Sequence, residues 1–231
     1  MKIKSTVLLM ILVFGSFFNN GIIGQHTGGL PALFDEYDKL QIIEGETEEQ
    51  YEGSPYLTND QYDHQLTFDD QIYTDLHLRF NIYSEDMEIE IDEKYRVIPK
   101  NKLFTHFSIG NHDFLYIDNF KNKKQKRCYL ERLATTDHIS FYKKHRINLI
   151  KAKSPEPYQE AKKAKFVSIS PIYFISIDNN TLQSFTSKKD LLDLFPNIKP
   201  EIKSYIKKNK VKFNNEDDLI ETLAFTDTLL N

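Results

Sequence analysis

The chain has 231 residues, 40% hydrophobic and 13% aromatic, with 30 basic groups against 34 acidic ones and a formal net charge of −4. That acidic balance excludes a dedicated nucleic-acid binder, which needs a net positive face to displace counterions from phosphates. Eight Gly argue against glycine-rich nucleotide loops, whereas 17 Phe and 13 Tyr without Trp favour strands, because aromatic side chains suit a pleated, half-buried surface.

Residues 1–24 read as a cleaved export signal. Lys2 and Lys4 give a basic start, residues 7–14 form an apolar run, and Gly24 precedes Gln25 at the expected cleavage point. The run is too short for a permanent anchor across a bilayer core of roughly 30 Å. The mature chain is then expected to begin near Gln25 with 207 residues. With Lys2 and Lys4 gone, 28 basic groups face 34 acidic ones, a formal −6. Cys128 is the single cysteine, so no internal disulfide can form and stability must come from packing. It lies far from the cleavage point, which rules out a lipoprotein, and reads as a small buried hydrophobe in a strand. The expected location is periplasmic or secreted, with no transmembrane segment after signal removal.

Residues 25–53 read as an irregular acidic lead-in, with Glu44, Glu46, Glu48 and Glu49 in one charge run. A β-rich domain is expected over 54–185. Residues 72–83 alternate apolar and polar positions without a break, and 87–92 do the same, with Ser84, Glu85 and Asp86 as a polar turn. A two-residue loop at Glu85 and Asp86 sets Ile82 opposite Ile89 and Phe80 opposite Ile91. It also puts Tyr83 by Glu88, Asn81 by Glu90 and Arg79 by Asp92; a one-residue slip would pair apolar with acidic side chains.

Further strands are expected at 103–109, 113–117, 126–133, 139–150, 166–177 and 181–185. Asn111 and His112 read as a turn, as do Asp178, Asn179 and Asn180, which tolerate left-handed backbone. The nearly continuous apolar run 172–177 should be a central strand. Residues 151–165, with five Lys, Pro155 and Pro157, read as a loop or projection.

The period changes at Thr186. Ser187 with Asp190 resembles a capping box, Pro196 stops the first helix, and Pro200 suits the start of a second. Asn215 before Glu216, Asp217 and Asp218 caps a third. Helices this short cannot stand alone, so a helical segment over 187–230 is expected to pack on the sheet. The fold class is α+β: a predominantly antiparallel sheet, as meander, sandwich or partial barrel, with a short C-terminal helical subdomain.

Gly53-Ser54-Pro55-Tyr56-Leu57, the stretches 78–88 (LRFNIYSEDME) and 157–166 (PYQEAKKAKF), and the closing 188–192 (KKDLL) and 206–210 (IKKNK) resemble a family of exported, uncharacterised β-rich proteins from Bacteroidota. The resemblance runs from about residue 53 to the end. It implies an envelope or secreted location in a Gram-negative cell, and no activity or residue role.

Among groups that carry chemistry, Glu88, Glu90 and Asp92 share one strand face at period two. Such acids can catalyse glycoside cleavage or hold calcium, but Arg79 and Asn81 across the hairpin satisfy them, so a solvated face is expected. Asp75, His77, Arg79, Asn81, Glu88, Glu90 and Asp92 form the candidate polar surface. The seven His, at 26, 64, 77, 106, 112, 138 and 145, make no His-x-His or His-Glu-x-x-His spacing; convergence of strands can still assemble a zinc site that spacing does not reveal. Ser54 lacks a Gly-x-Ser-x-Gly elbow, and Lys in the last helices interleaves with acids as a salt-laced solvent face. No catalytic residue, cofactor or metal is assigned. The expected function is a non-enzymatic exported module that binds an envelope protein or a glycan. The rival is a periplasmic hydrolase whose site is built from sequence-distant acids and His.

Overall fold

The computed structural model describes residues 51–57, 64–100, 104–124, 126–152 and 163–230. The expected signal, most of the acidic lead-in, and Pro155 and Pro157 lie outside the described residues. The architecture is α+β. An open, fully antiparallel sheet has the order β14-β13-β10-β9-β8-β7-β2-β3. Its strands are β2 (Gln65–Phe68), β3 (Gln71–Tyr73), β7 (Phe104–Ile109), β8 (His112–Ile117), β9 (Cys128–Thr135), β10 (Ile139–Lys144), β13 (Ile172–Ile177) and β14 (Gln183–Phe185). A second sheet joins β4 (Leu78–Asn81), β5 (Asp86–Ile91) and β6 (Lys94–Val97); a third joins β1 (Tyr51–Glu52), β12 (Ala164–Ser168) and β11 (Ile147–Ile150). Helices α1 (Lys188–Leu194), α2 (Lys199–Asn209) and α3 (Glu216–Asp227) follow, with a 3-10 turn at Pro196–Ile198.

Cross-strand partners share a face of a sheet, and the registers trace one row across all eight strands. It runs Tyr73, Leu66, Phe107, Phe114, Glu131, Lys143, Tyr173, Phe185. The row begins and ends in apolar core and is interrupted by two charged residues at its centre. At the β3 end the second sheet covers it, and Leu78, Phe80, Met87 and Ile89 pack with Leu66, Phe107 and Phe114; the Phe80 and Phe114 rings lie 4.8 Å apart. At the β14 end the helices cover it, and Leu191, Phe195, Ile202, Ile206, Leu219 and Leu223 pack on Phe141, Tyr173, Ile175 and Phe185. Glu131 and Lys143 therefore occupy the seam between two covering layers.

The other face carries a smaller cluster of Phe120, Cys128, Leu130, Phe174 and Leu182. Cys128 is buried there, as its strand pattern indicates. The β13 run is enclosed on both faces, with Tyr173 through Ser176 all buried.

The helical caps form as the sequence indicates. Ser187 accepts from the Asp190 amide while Asp190 accepts from the Thr186 amide. Pro200 stands in the first turn of α2, and Asn215 accepts from the Asp218 amide to start α3. Asp178 and Asn179 take φ of 49° and 57°, as the turn reading requires.

Several boundaries are corrected. The alternation over 72–83 is not one strand: Asp75, at φ 58°, breaks it, leaving β3 in the large sheet and β4 in the small one. The hairpin keeps its parity and loses its register. Arg79 stands opposite Glu88, Phe80 opposite Met87 and Asn81 opposite Asp86, around a four-residue loop at 82–85. The cause is local: Asn81 Oδ1 accepts the amides of Tyr83 and Ser84 and starts the turn early. Phe80 is buried as expected, but its partner is Met87, not Ile91.

The expected strands 139–150 and 166–177 each divide, at His145 and Arg146 and at 169–171, because their halves join different sheets. Tyr51 and Glu52, read as lead-in, pair in parallel with Ala164 and Lys165, read as loop. The turn expected at Asn111 and His112 moves back one residue to Gly110, at φ 56°, and Asn111, so His112 opens β8.

Candidate metal centre

Three chain segments bring His112, Glu131 and His145 together, with one donor atom from each within 4.8 Å of the others. Glu131 lies mid-strand in β9, on the row described above. A register shift between Phe141 and Tyr142 leaves Leu133 unpaired in sequence between Arg132 and Ala134, and this bulge sets Glu131 directly across from Lys143. His112 reaches the same face as the first residue of β8. His145 follows Lys143 by two residues, just past the end of β10, and so keeps the parity of the side chain that stands opposite Glu131.

Glu131 uses both oxygens. His112 Nδ1 is 2.5 Å from Oε1 and His145 Nε2 is 2.6 Å from Oε2. Lys143 Nζ stands 3.8 Å from Oε2 and 2.6 Å from Glu216 Oε1, the first residue of α3. Tyr173 donates its hydroxyl to the same Glu216 oxygen at 3.2 Å. Phe114 supplies an apolar wall, with its ring 6.0 Å from that of His145. Glu131 is buried, while the His112 side chain is 27% exposed, so the centre can be reached from solvent. Burial pushes the Glu131 carboxyl up. Hydrogen bonds from His145 and His112, and their charge, outweigh this and bring it down to about 2. Burial and then the Glu216 charge push the Tyr173 phenol up.

Two imidazole nitrogens and one carboxylate oxygen make the donor set of a three-ligand zinc site, with the fourth position open. Tetrahedral zinc with bonds of about 2.0–2.1 Å needs donors roughly 3.3 Å apart. The present spacings begin at 2.5 Å and lie within 4.8 Å, so they bracket that value.

The polar surface expected from the sequence lies elsewhere and is not uniform. Asp75 and Asp92 hold left-handed turn positions. His77 is exposed and reaches Glu90 at 3.1 Å. Glu88 was expected on a solvated face and is instead fully buried, its Oε2 2.5 Å from Arg79 Nε and its Oε1 3.4 Å from Asn81 Nδ2. The Arg79 guanidinium lies over the rings of Tyr56 at 4.1 Å and Tyr95 at 3.5 Å. Glu88 alternates to the face of β5 opposite the core residues Met87 and Ile89, where Arg79, with the Tyr56 and Tyr95 rings over its guanidinium, pairs with it and links β4 to β5.

Of the other described histidines, His64 accepts the Leu78 amide at 2.9 Å. His106 binds Asp113, whose other oxygen binds Arg132, and His138 binds Asp178 at 2.7 Å. His112 and His145 alone share a carboxylate among the described residues. The sequence carried one sign of the centre: Glu131 occupies the same strand parity as buried Tyr129, where an apolar residue is expected.

Among the described residues, no helix is long and apolar enough to cross a membrane. Against known proteins, the chain matches no family model, no curated protein and no solved structure.

Proposed function

We propose that this is an exported metal-binding protein: a β-rich module of the periplasm or cell exterior that holds a divalent transition-metal ion between His112, Glu131 and His145, with zinc the best match to its donors. One observation carries the reading. Three donors of the right chemistry, from segments distant in the chain, converge within 4.8 Å at the charged centre of a sheet row whose two ends are apolar. An isolated buried carboxylate is costly, and the fold meets that cost with two imidazoles rather than with arginine. This refines the binding module expected from the sequence, with the metal as a bound component. A periplasmic hydrolase is the second reading, favoured by the donor count, since three protein ligands leave room for a metal-bound water.

The test is titration of the chelator-treated exported chain with zinc by calorimetry and with cobalt by visible absorption. One-to-one binding on the order of 1 μM or tighter is expected, with intense cobalt bands of tetrahedral type. His145→Ala should weaken binding at least about tenfold with its melting temperature monitored alongside. Binding no tighter than about 1 mM, or binding that His112→Ala and His145→Ala leave unchanged in folded protein, refutes the proposal.

A further inference from the structure

We infer that the open position on the metal takes a small oxyanion, through a carboxylate or phosphate oxygen, with the Lys143 ammonium as its second anchor. This rests on the metal-binding reading above and extends it to the ligand.

Three observations support it. The first is donor count: His112, Glu131 and His145 supply three ligands, and a zinc-type ion takes a fourth. The second is charge. A dication with two neutral imidazoles and one carboxylate retains one positive charge. The Lys143 and Glu216 pair adds none, because the two are 2.6 Å apart and of opposite sign. The Lys143 side chain is 17% exposed and that of Glu131 7%, so an uncompensated charge is expensive there. An anionic fourth ligand removes it.

The third is the position of Lys143. Its strand register makes it the direct neighbour of Glu131, and its Nζ is 3.8 Å from Glu131 Oε2. Once Glu131 turns an oxygen to the metal, the ammonium stands beside the first coordination sphere. It already holds one carboxylate, Glu216, which is also fixed by the Tyr173 hydroxyl. An incoming oxyanion presents the same chemistry: one oxygen to the metal and another to the ammonium, as charge-assisted hydrogen bonds favour.

The test uses the cobalt-loaded exported chain at constant ionic strength set with perchlorate. Sodium acetate and sodium phosphate are titrated separately, and the cobalt ligand-field bands are followed. A saturable one-to-one band shift with either anion is expected, and the tighter arm identifies carboxylate or phosphate as the preferred class. Lys143→Met should weaken that anion about tenfold or more. Its cobalt affinity should hold or rise, because a cation competing for Glu131 is gone. The proposal is overturned if cobalt binds but neither anion moves the bands, or if Lys143→Met leaves anion affinity within about twofold. Absence of cobalt binding overturns the metal reading itself, and the two failures are distinguishable because the first step is measured alone.

Discussion

Glu131 and His145 are 14 residues apart in the chain, and their side chains meet at 2.6 Å in the middle of an eight-strand sheet. With His112 on its other oxygen, Glu131 is stabilised as an anion in a place where burial alone pushes its carboxyl up. That balance has a consequence for acid stability.

The Glu131 carboxyl falls from an ordinary 4.5 to about 2 on folding. A depressed folded value gives stability that is complete above the unfolded value and is lost as pH falls from about 4.5 toward 2. The difference is on the order of 3 kcal/mol. Chemical denaturation followed from pH 6 to pH 2 should show this acid limb, and Glu131→Gln should flatten it. An unchanged limb in the variant would contradict the arrangement.

Arg79 and Glu88 make the second test. Glu88 is fully buried and Arg79 is its cation. Arg79→Ala leaves an uncompensated internal charge and should cost about 3–5 kcal/mol. Phe80→Ala, which empties the space between Phe114 and Met87, should cost about the same. Equilibrium unfolding of both variants checks this. A loss under about 1 kcal/mol for Arg79→Ala would restore a solvated face.

Asp227 ties the helices to the sheet. It is the last residue of α3, and its Oδ1 accepts from the Thr136 hydroxyl and from the amides of His138 and Ile139. An acid at a helix C-terminus opposes the helix dipole, so its place there is explained by these three donors. Asp227→Ala should cost roughly 1–3 kcal/mol and lower one shared transition. Two separated melting transitions in the wild-type chain, one for sheet and one for helices, would contradict joint folding.

For location, the proposed export predicts a mature chain that begins near Gln25 and is recovered from periplasm or medium. Intact-mass measurement decides the point. Retention of residues 1–24, or a lipid mass on the chain, would refute it.

Local patterns made much of the fold legible. The caps at Ser187 and Asn215, the turn at Asp178 and Asn179, and the enclosed strand around Phe174 each depend on neighbours a few residues away. Sheet membership was not legible. Alternation over 72–83 is continuous in the sequence, yet β3 and β4 belong to different sheets, because periodicity fixes which face is apolar and says nothing about which partner covers it. The hairpin register failed for a related reason: pairing polarity was satisfied by several even loops, and the Asn81 turn selected among them. Glu88 looked solvated because a buried ion pair and a wet face have the same pattern of residues. The cluster of His112, Glu131 and His145 stayed hidden because its members come from separate segments of the chain. His112 is set by a turn one residue earlier than expected, and His145 meets Glu131 only through the pairing of β9 with β10, which no local pattern shows.

X-ray absorption of the zinc-loaded exported chain bears most directly on the centre. Two imidazole nitrogens at about 2.0–2.1 Å and oxygen at about 2.0–2.2 Å are predicted, with the outer-shell scattering of histidine rings. His112→Ala should remove one of the two rings from that spectrum. A shell of oxygen alone without imidazole scattering, or zinc that is lost on gel filtration, would show that His112, Glu131 and His145 do not form a metal site.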